Sequence, residues 1–167
     1  MVRVMATGVF DLLHPGHLYF LREARKLGDE LWVVVARDRT ARRFKHEPIT
    51  PEESRLQLVE ALKPVDRALL GHEGNIYDIL DEIRPDVVAI GFDQVHDENR
   101  ILEECRKRGL STKVVRLPKF EGDLDGTRKI VRKVAEWLAL QERLSEVERG
   151  KVEVPADPPA PRRRRKA

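Results

Sequence analysis

Val2-Arg3-Val4-Met5-Ala6 runs straight into Thr7-Gly8-Val9-Phe10-Asp11-Leu12-Leu13-His14-Pro15-Gly16-His17, and this junction decides how the whole chain is read. The opening residues predict a short buried strand. Gly8 should let the backbone turn sharply at its end and leave room for a ligand, while Pro15 can open the next helix where its missing N–H costs nothing. Free N–H groups at that helix start then point at whatever anion sits there. His14 and His17 lie three residues apart at the same place. Both imidazoles can donate to phosphate oxygens, and a partly desolvated histidine beside a polyphosphate is suited to charge that builds as a phosphoryl bond breaks. Such chemistry needs no protein nucleophile.

Working outward, short apolar runs alternate with amphipathic stretches, the pattern of a parallel α/β sheet. Strands are predicted at Val2 to Ala6, Leu31 to Ala36, Arg67 to Leu70, Val87 to Ile90 and Lys113 to Arg116. Helical spacing puts Leu18, Leu21, Ala24 and Leu27 on one face of Gly16 to Leu27, and Leu56, Val59 and Leu62 on one face of Pro51 to Leu62. Ile76 to Ile83, Glu98 to Arg108 and a longer stretch from Asp125 to about Glu148 supply further helices. The strands are strongly apolar without clean alternation, so both sheet faces should be covered. The expected fold is one doubly wound, Rossmann-like α/β domain with a five-stranded parallel sheet over residues 1–149, followed by a Pro- and Arg-rich tail at 150–167. Ligands in such folds sit beyond the carboxyl ends of the strands, so Gly8 to His14, Arg37-Asp38 and Gly91-Phe92-Asp93-Gln94 should converge into one pocket.

Composition bounds the function class. The chain has 167 residues, 37% of them charged, enough for one catalytic domain with a short extension. One cysteine, Cys105, excludes an intramolecular disulfide framework and a cysteine-based metal cluster. Neither a signal peptide nor an apolar run of about 18 residues is present, so a cytoplasmic protein with no membrane span is expected. The net charge of +3 owes much to Arg162-Arg163-Arg164-Arg165-Lys166. Behind the proline-rich segment from Pro155 to Pro161, this run reads as a solvated tail, with non-specific contact to nucleic acid as the other use of its charge.

The motif T-G-x-F-D-x-x-H-x-G-H resembles that of the cytidylyltransferase-like, HxGH nucleotidyltransferases. Leu27 to Asp38, Val59 to Asp66 and Gly91 to Gln94 are similar in order and spacing to the archaeal FAD synthases, and the likeness covers about residues 1 to 135. The resemblance implies transfer of AMP from ATP to FMN, with release of pyrophosphate, by in-line attack. It further implies a divalent cation, expected to be Mg2+, and a homodimer. It makes His14 and His17 the catalytic, triphosphate-binding pair, and places Val9, Phe10, Pro15, Gly16, Asp93, Phe120, Thr127 and Arg128 around the nucleotide. Arg37 and Asp38 would lie near the acceptor, with Lys45 in a basic stretch, Arg39 to His46, that reads as a mobile loop able to close over phosphates. Asp11 either braces its loop through backbone N–H groups or orients a magnesium shell. Arg22 and Arg55 are expected to be solvated helix residues. Where the family closes its pocket with a hydroxyl-rich segment, this chain has Leu124-Asp125-Gly126-Thr127-Arg128-Lys129, which retains a single hydroxyl. Cytidylyl transfer to glycerol phosphate or another phospho-alcohol is the alternative within the class. A non-catalytic nucleotide-binding or RNA-associated protein is the alternative outside it.

Overall fold

The computed structural model describes residues 1–44, 47–94, 97–123 and 125–149. Lys45 and the tail from residue 150 lie outside the described residues. The five strands β1 (Arg3–Gly8), β2 (Glu30–Val35), β3 (Arg67–Leu70), β4 (Val87–Ile90) and β5 (Lys113–Arg116) pair in parallel in the order β3-β2-β1-β4-β5. Helices α1 (Pro15–Arg25), α2 (Asp38–Phe44), α3 (Glu52–Glu60), α4 (Ile79–Ile83), α5 (Glu98–Lys107) and α6 (Thr127–Glu148) complete the chain.

Alternate strand residues enter two different cores, which explains the apolar runs. Val4, Ala6, Leu31, Val33, Val35, Val87 and Ala89 pack with Leu21 and Ala24 of α1 and Val59 of α3. Met5, Val34, Val88 and Ile90 pack with Ile79, Leu80 and Ile83 of α4 and Ile101 and Cys105 of α5. A strand sandwiched in this way needs apolar side chains at even and odd positions alike.

Connections from β1 run outward to β2 and β3, and the chain then crosses to β4 and β5 on the other side. The carboxyl ends of β1 and β4 therefore flank the crevice where such sheets take ligands.

Two expectations change. Residues 39–46 read as a loop from their charge, yet Asp38–Phe44 is helical, with Asp38 in the first turn and Arg42 and Arg43 in the last, the arrangement the helix dipole favours. Buried Ala41 anchors this helix. Helix α4 is also shorter than its apolar pattern suggests, beginning only at Ile79 and ending on Arg84 in the left-handed region at φ 50°.

Contacts divide the chain into two units, Met1–Lys129 and the residues from Ile130 on. The second unit, as far as it is described, is the body of α6, and its large apolar side chains are exposed.

Candidate active site

The β1–α1 loop is shaped by residues other than its glycine. Gly8 remains in the strand, and a Cβ there would meet the Phe10 ring at 2.8 Å, so the space it leaves is filled by Phe10 rather than by a ligand. The turn itself falls on Phe10 and Leu12, at φ 55° and 45°. Left-handed backbone at bulky residues costs about 1–3 kcal/mol each and persists only where the surroundings impose it. Phe10 is buried in the core with its ring 5.3 Å from that of His17.

Arg55 is one of those surroundings. Instead of lying solvated on α3 it is 0% exposed, its Nη1 donating to the Val9 carbonyl at 2.5 Å, its Nε to the Thr50 carbonyl at 2.9 Å and its Nη2 to Asp38 Oδ1 at 2.6 Å. The apolar face assigned to α3 contains Val59 as expected, but the guanidinium, too, turns inward because three chain segments offer it acceptors there. Arg22 is exposed, as a solvated helix residue should be.

Asp11 fastens the same loop from the other side. Its Oδ2 accepts from Ile49 N at 2.8 Å, and its Oδ1 from Thr50 N at 3.0 Å and Thr50 Oγ1 at 2.7 Å. Burial by itself would raise the carboxyl's pKa, but the bonds from Ile49 and Thr50, helped by the Arg55 charge, bring it below its ordinary 3.8. A carboxylate occupied in this way braces the loop. Among the described residues, no group of three His, Cys, Asp or Glu side chains is placed to hold a metal ion.

His14 caps α1, with extended backbone and its Nδ1 accepting from His17 N at 3.3 Å. In the neutral ring this leaves the proton on Nε2, a donor. The two imidazoles stack with centroids 3.7 Å apart. Pro15 takes the first helical position, and the first turn of α1 carries no acid.

The start of α6 meets this corner. A Cβ on Gly16 would stand 2.8 Å from the Asp125 carbonyl, so only glycine permits the approach. Thr127 Oγ1 donates to the Asp11 carbonyl at 2.6 Å, which gives that hydroxyl a structural tie at the position expected to face phosphate. Arg128 is exposed on the same first turn, which has no acid. Lys129 Nζ holds Asp125 at 2.8 Å, and this hydrogen bond is the main reason that the Asp125 carboxyl sits below its ordinary pKa. Two acid-free helix starts thus face one region, the electrostatics an oligophosphate requires.

On the β4 side, the turn from Gly91 to Gln94 is fastened by Gln94 Nε2 on the Thr7 carbonyl at 2.6 Å and by Arg116 Nη1 on the carbonyls of Gly91 and Gln94. Asp93 is exposed on this turn, and Gln94 Oε1 is buried with no hydrogen-bond partner among the described residues. Phe120 packs against Tyr19 at 5.4 Å. On the β2 side, Arg37 bonds Glu52 at 2.9 Å and the Gly71 carbonyl at 2.7 Å, while Asp38 is held by Arg55. Sequence reasoning missed Arg55, Thr50 and Arg116. Nothing in their spacing marks them, because each acts through a contact with residues distant in the chain.

Residues 5–148 match the cytidylyltransferase-like family. A protein of Aciduliprofundum boonei named FAD synthase is 62% identical over 137 residues, spanning 81% of this chain and 92% of that protein. One of Archaeoglobus profundus with the same name is 50% identical over 149 residues, spanning 89% and 94%. A crystal structure of the lipopolysaccharide core biosynthesis protein from Thermoplasma volcanium GSS1 superposes with a TM-score of 0.70 at 52% identity, covering 72% of this chain and 99% of that one. With the paired histidines at a helix start beside the switch point of a five-stranded parallel sheet, this chain belongs to the cytidylyltransferase-like family.

Proposed function

We propose that the chain is an FAD synthase, transferring the adenylyl group of ATP to the phosphate of FMN. An FMN phosphate oxygen attacks the α-phosphorus of ATP, the bond from that phosphorus to the bridging oxygen breaks, and pyrophosphate leaves with the electron pair. Identity to proteins named FAD synthase along most of both chains supports the flavin acceptor. The observation that carries the reaction class is the stacked His14–His17 pair at the start of α1. Donors fixed before the reaction stabilise charge without reorganising as it develops.

In this reading His14 and His17 hold the triphosphate and the departing pyrophosphate, with the backbone of Val9, Phe10, Pro15 and Gly16 around them. Arg128 adds charge from the start of α6, and Thr127 supplies its anchor. Asp93 and Phe120 flank the nucleoside, next to the unmet acceptor of Gln94. Arg37, whose Nη1 and Nε are taken by Glu52 and Gly71, offers Nη2 to the FMN phosphate, aided by Asp38 and Lys45. Mg2+ enters as part of the nucleotide substrate, on phosphate oxygens and waters, since both Asp11 oxygens are engaged by the loop.

The working unit is a homodimer in the cytoplasm, and among the described residues no helix is long and apolar enough to cross a membrane. Purified protein with ATP, FMN and MgCl2 should yield FAD and pyrophosphate, followed by chromatography of the flavin. If no FAD forms while CTP and glycerol phosphate release pyrophosphate, the acceptor is a phospho-alcohol and the flavin reading fails.

A further inference from the structure

Helix α6 carries a stripe of large, exposed apolar side chains. Val131, Val134, Trp137, Leu138, Leu140 and Leu144 are between 43% and 59% exposed. Most of a helix's stability in a protein comes from packing of its amphipathic face, and a contiguous exposed apolar face ordinarily marks an interface.

The charges on that face say what covers it. Lys133, Trp137, Leu140, Leu144 and Glu148 follow one another at spacings of four, three, four and four residues, so they share one side of the helix. Lys133 and Glu148 interrupt the apolar row at opposite ends with opposite signs. They are equally distant from the point between Leu140 and Gln141, and so are Trp137 and Leu144. In a two-fold contact residue i meets residue j while j meets i.

An antiparallel pair centred between Leu140 and Gln141 therefore sets Lys133 against Glu148 of the second copy, and Trp137 against its Leu144. A parallel pair in register would instead oppose lysine to lysine and glutamate to glutamate. The wider charge pattern agrees with the antiparallel choice. The first turn of α6 has no acid and its last has no base, so each end suits the opposite end of a reversed copy.

We infer that α6 is the element through which two copies of this chain associate, antiparallel, about a two-fold axis between Leu140 and Gln141. The inference gives the homodimer proposed above its interface, and it does not depend on the reaction catalysed. Burial of the apolar row supplies the affinity. The Lys133–Glu148 pairs, at the solvent rim, set direction more than strength.

Sedimentation velocity on the full chain at tens of micromolar should show a dimer, and Trp137→Glu combined with Leu144→Glu should give a monomer that keeps a cooperative thermal transition. Lys133→Glu or Glu148→Lys alone should weaken the dimer about tenfold, since each change sets two like-charge contacts in place of two attractive ones. Both changes in one chain should restore it. Oxidation of a mixture of Lys133→Cys and Glu148→Cys chains, each also Cys105→Ala, should cross-link the two kinds to each other, whereas Lys133→Cys alone should not cross-link. A wild-type monomer would overturn both the interface and the dimer. A dimer indifferent to the Trp137 and Leu144 changes, or a disulfide between two copies of Lys133→Cys, would overturn the interface alone. Formation of FAD in the same samples reports separately on the flavin reading.

Discussion

Individual side chains divide into those proposed to meet phosphate and those that hold the surrounding loop in place. His14 and His17 are only partly buried and lie outside the two apolar cores, so their removal should leave the fold intact. His14→Ala and His17→Ala should each lower turnover by about 100-fold or more, measured as FAD formed at saturating ATP, while His14→Ala, which also removes the cap of α1, should cost about 1 kcal/mol of stability. Asp11 belongs to the second group. Its carboxyl is depressed below the ordinary value, so it binds a proton less readily in the folded chain than in the unfolded one. The stability it contributes is complete above the ordinary 3.8 and is lost as pH falls through the lower folded value. Asp11→Asn should therefore cost about 2 kcal/mol in urea melts at pH 7, and the gap to the parent should close as the medium is acidified below pH 3.8. The histidines were legible in the sequence because their chemistry and spacing are local. The role of Asp11 was open between brace and metal ligand, because the residues that answer it, Ile49 and Thr50, lie 38 and 39 positions away.

Among the elements, strands β3, β4 and β5 fall where the apolar runs predict them, and β1 and β2 shift by one or two residues. Burial on both faces makes such runs easy to recognise. Helix α2 was hidden because its residues are mostly charged and only Ala41 reaches the core. Arg55 was misjudged for a related reason, since helical periodicity identifies apolar faces and is blind to a buried guanidinium whose acceptors come from other segments. It joins α3, the β1–α1 loop, the start of α2 and the segment at Thr50. Arg55→Met should cost about 3 kcal/mol, the lower end for a broken buried pair because Asp38 keeps some access to solvent. It should also raise KM for ATP, as the carbonyl of Val9 loses its anchor. Arg55→Lys should recover only part of either loss, having one donor centre for three separated acceptors.

At the level of the whole molecule, the machinery proposed for catalysis lies within Met1–Lys129, and the basic run at Arg162 to Lys166 lies far beyond it in the chain. Deleting residues 150–167 should leave kcat for FAD formation unchanged. If turnover instead vanished together with a salt-sensitive association with RNA, the non-catalytic, tail-dependent reading would be the better one. The left-handed backbone at Phe10 and Leu12 has a consequence for heat tolerance. Relaxing Leu12 to glycine removes about 1–2 kcal/mol of steric cost, but it adds about 0.5–1 kcal/mol of backbone freedom to the unfolded chain and gives up about 1.5 kcal/mol from a half-buried side chain, so the substituted protein should melt slightly lower. A calorimetric scan of the two proteins would register that fall, the strained torsion being worth keeping for the apolar surface that the leucine covers.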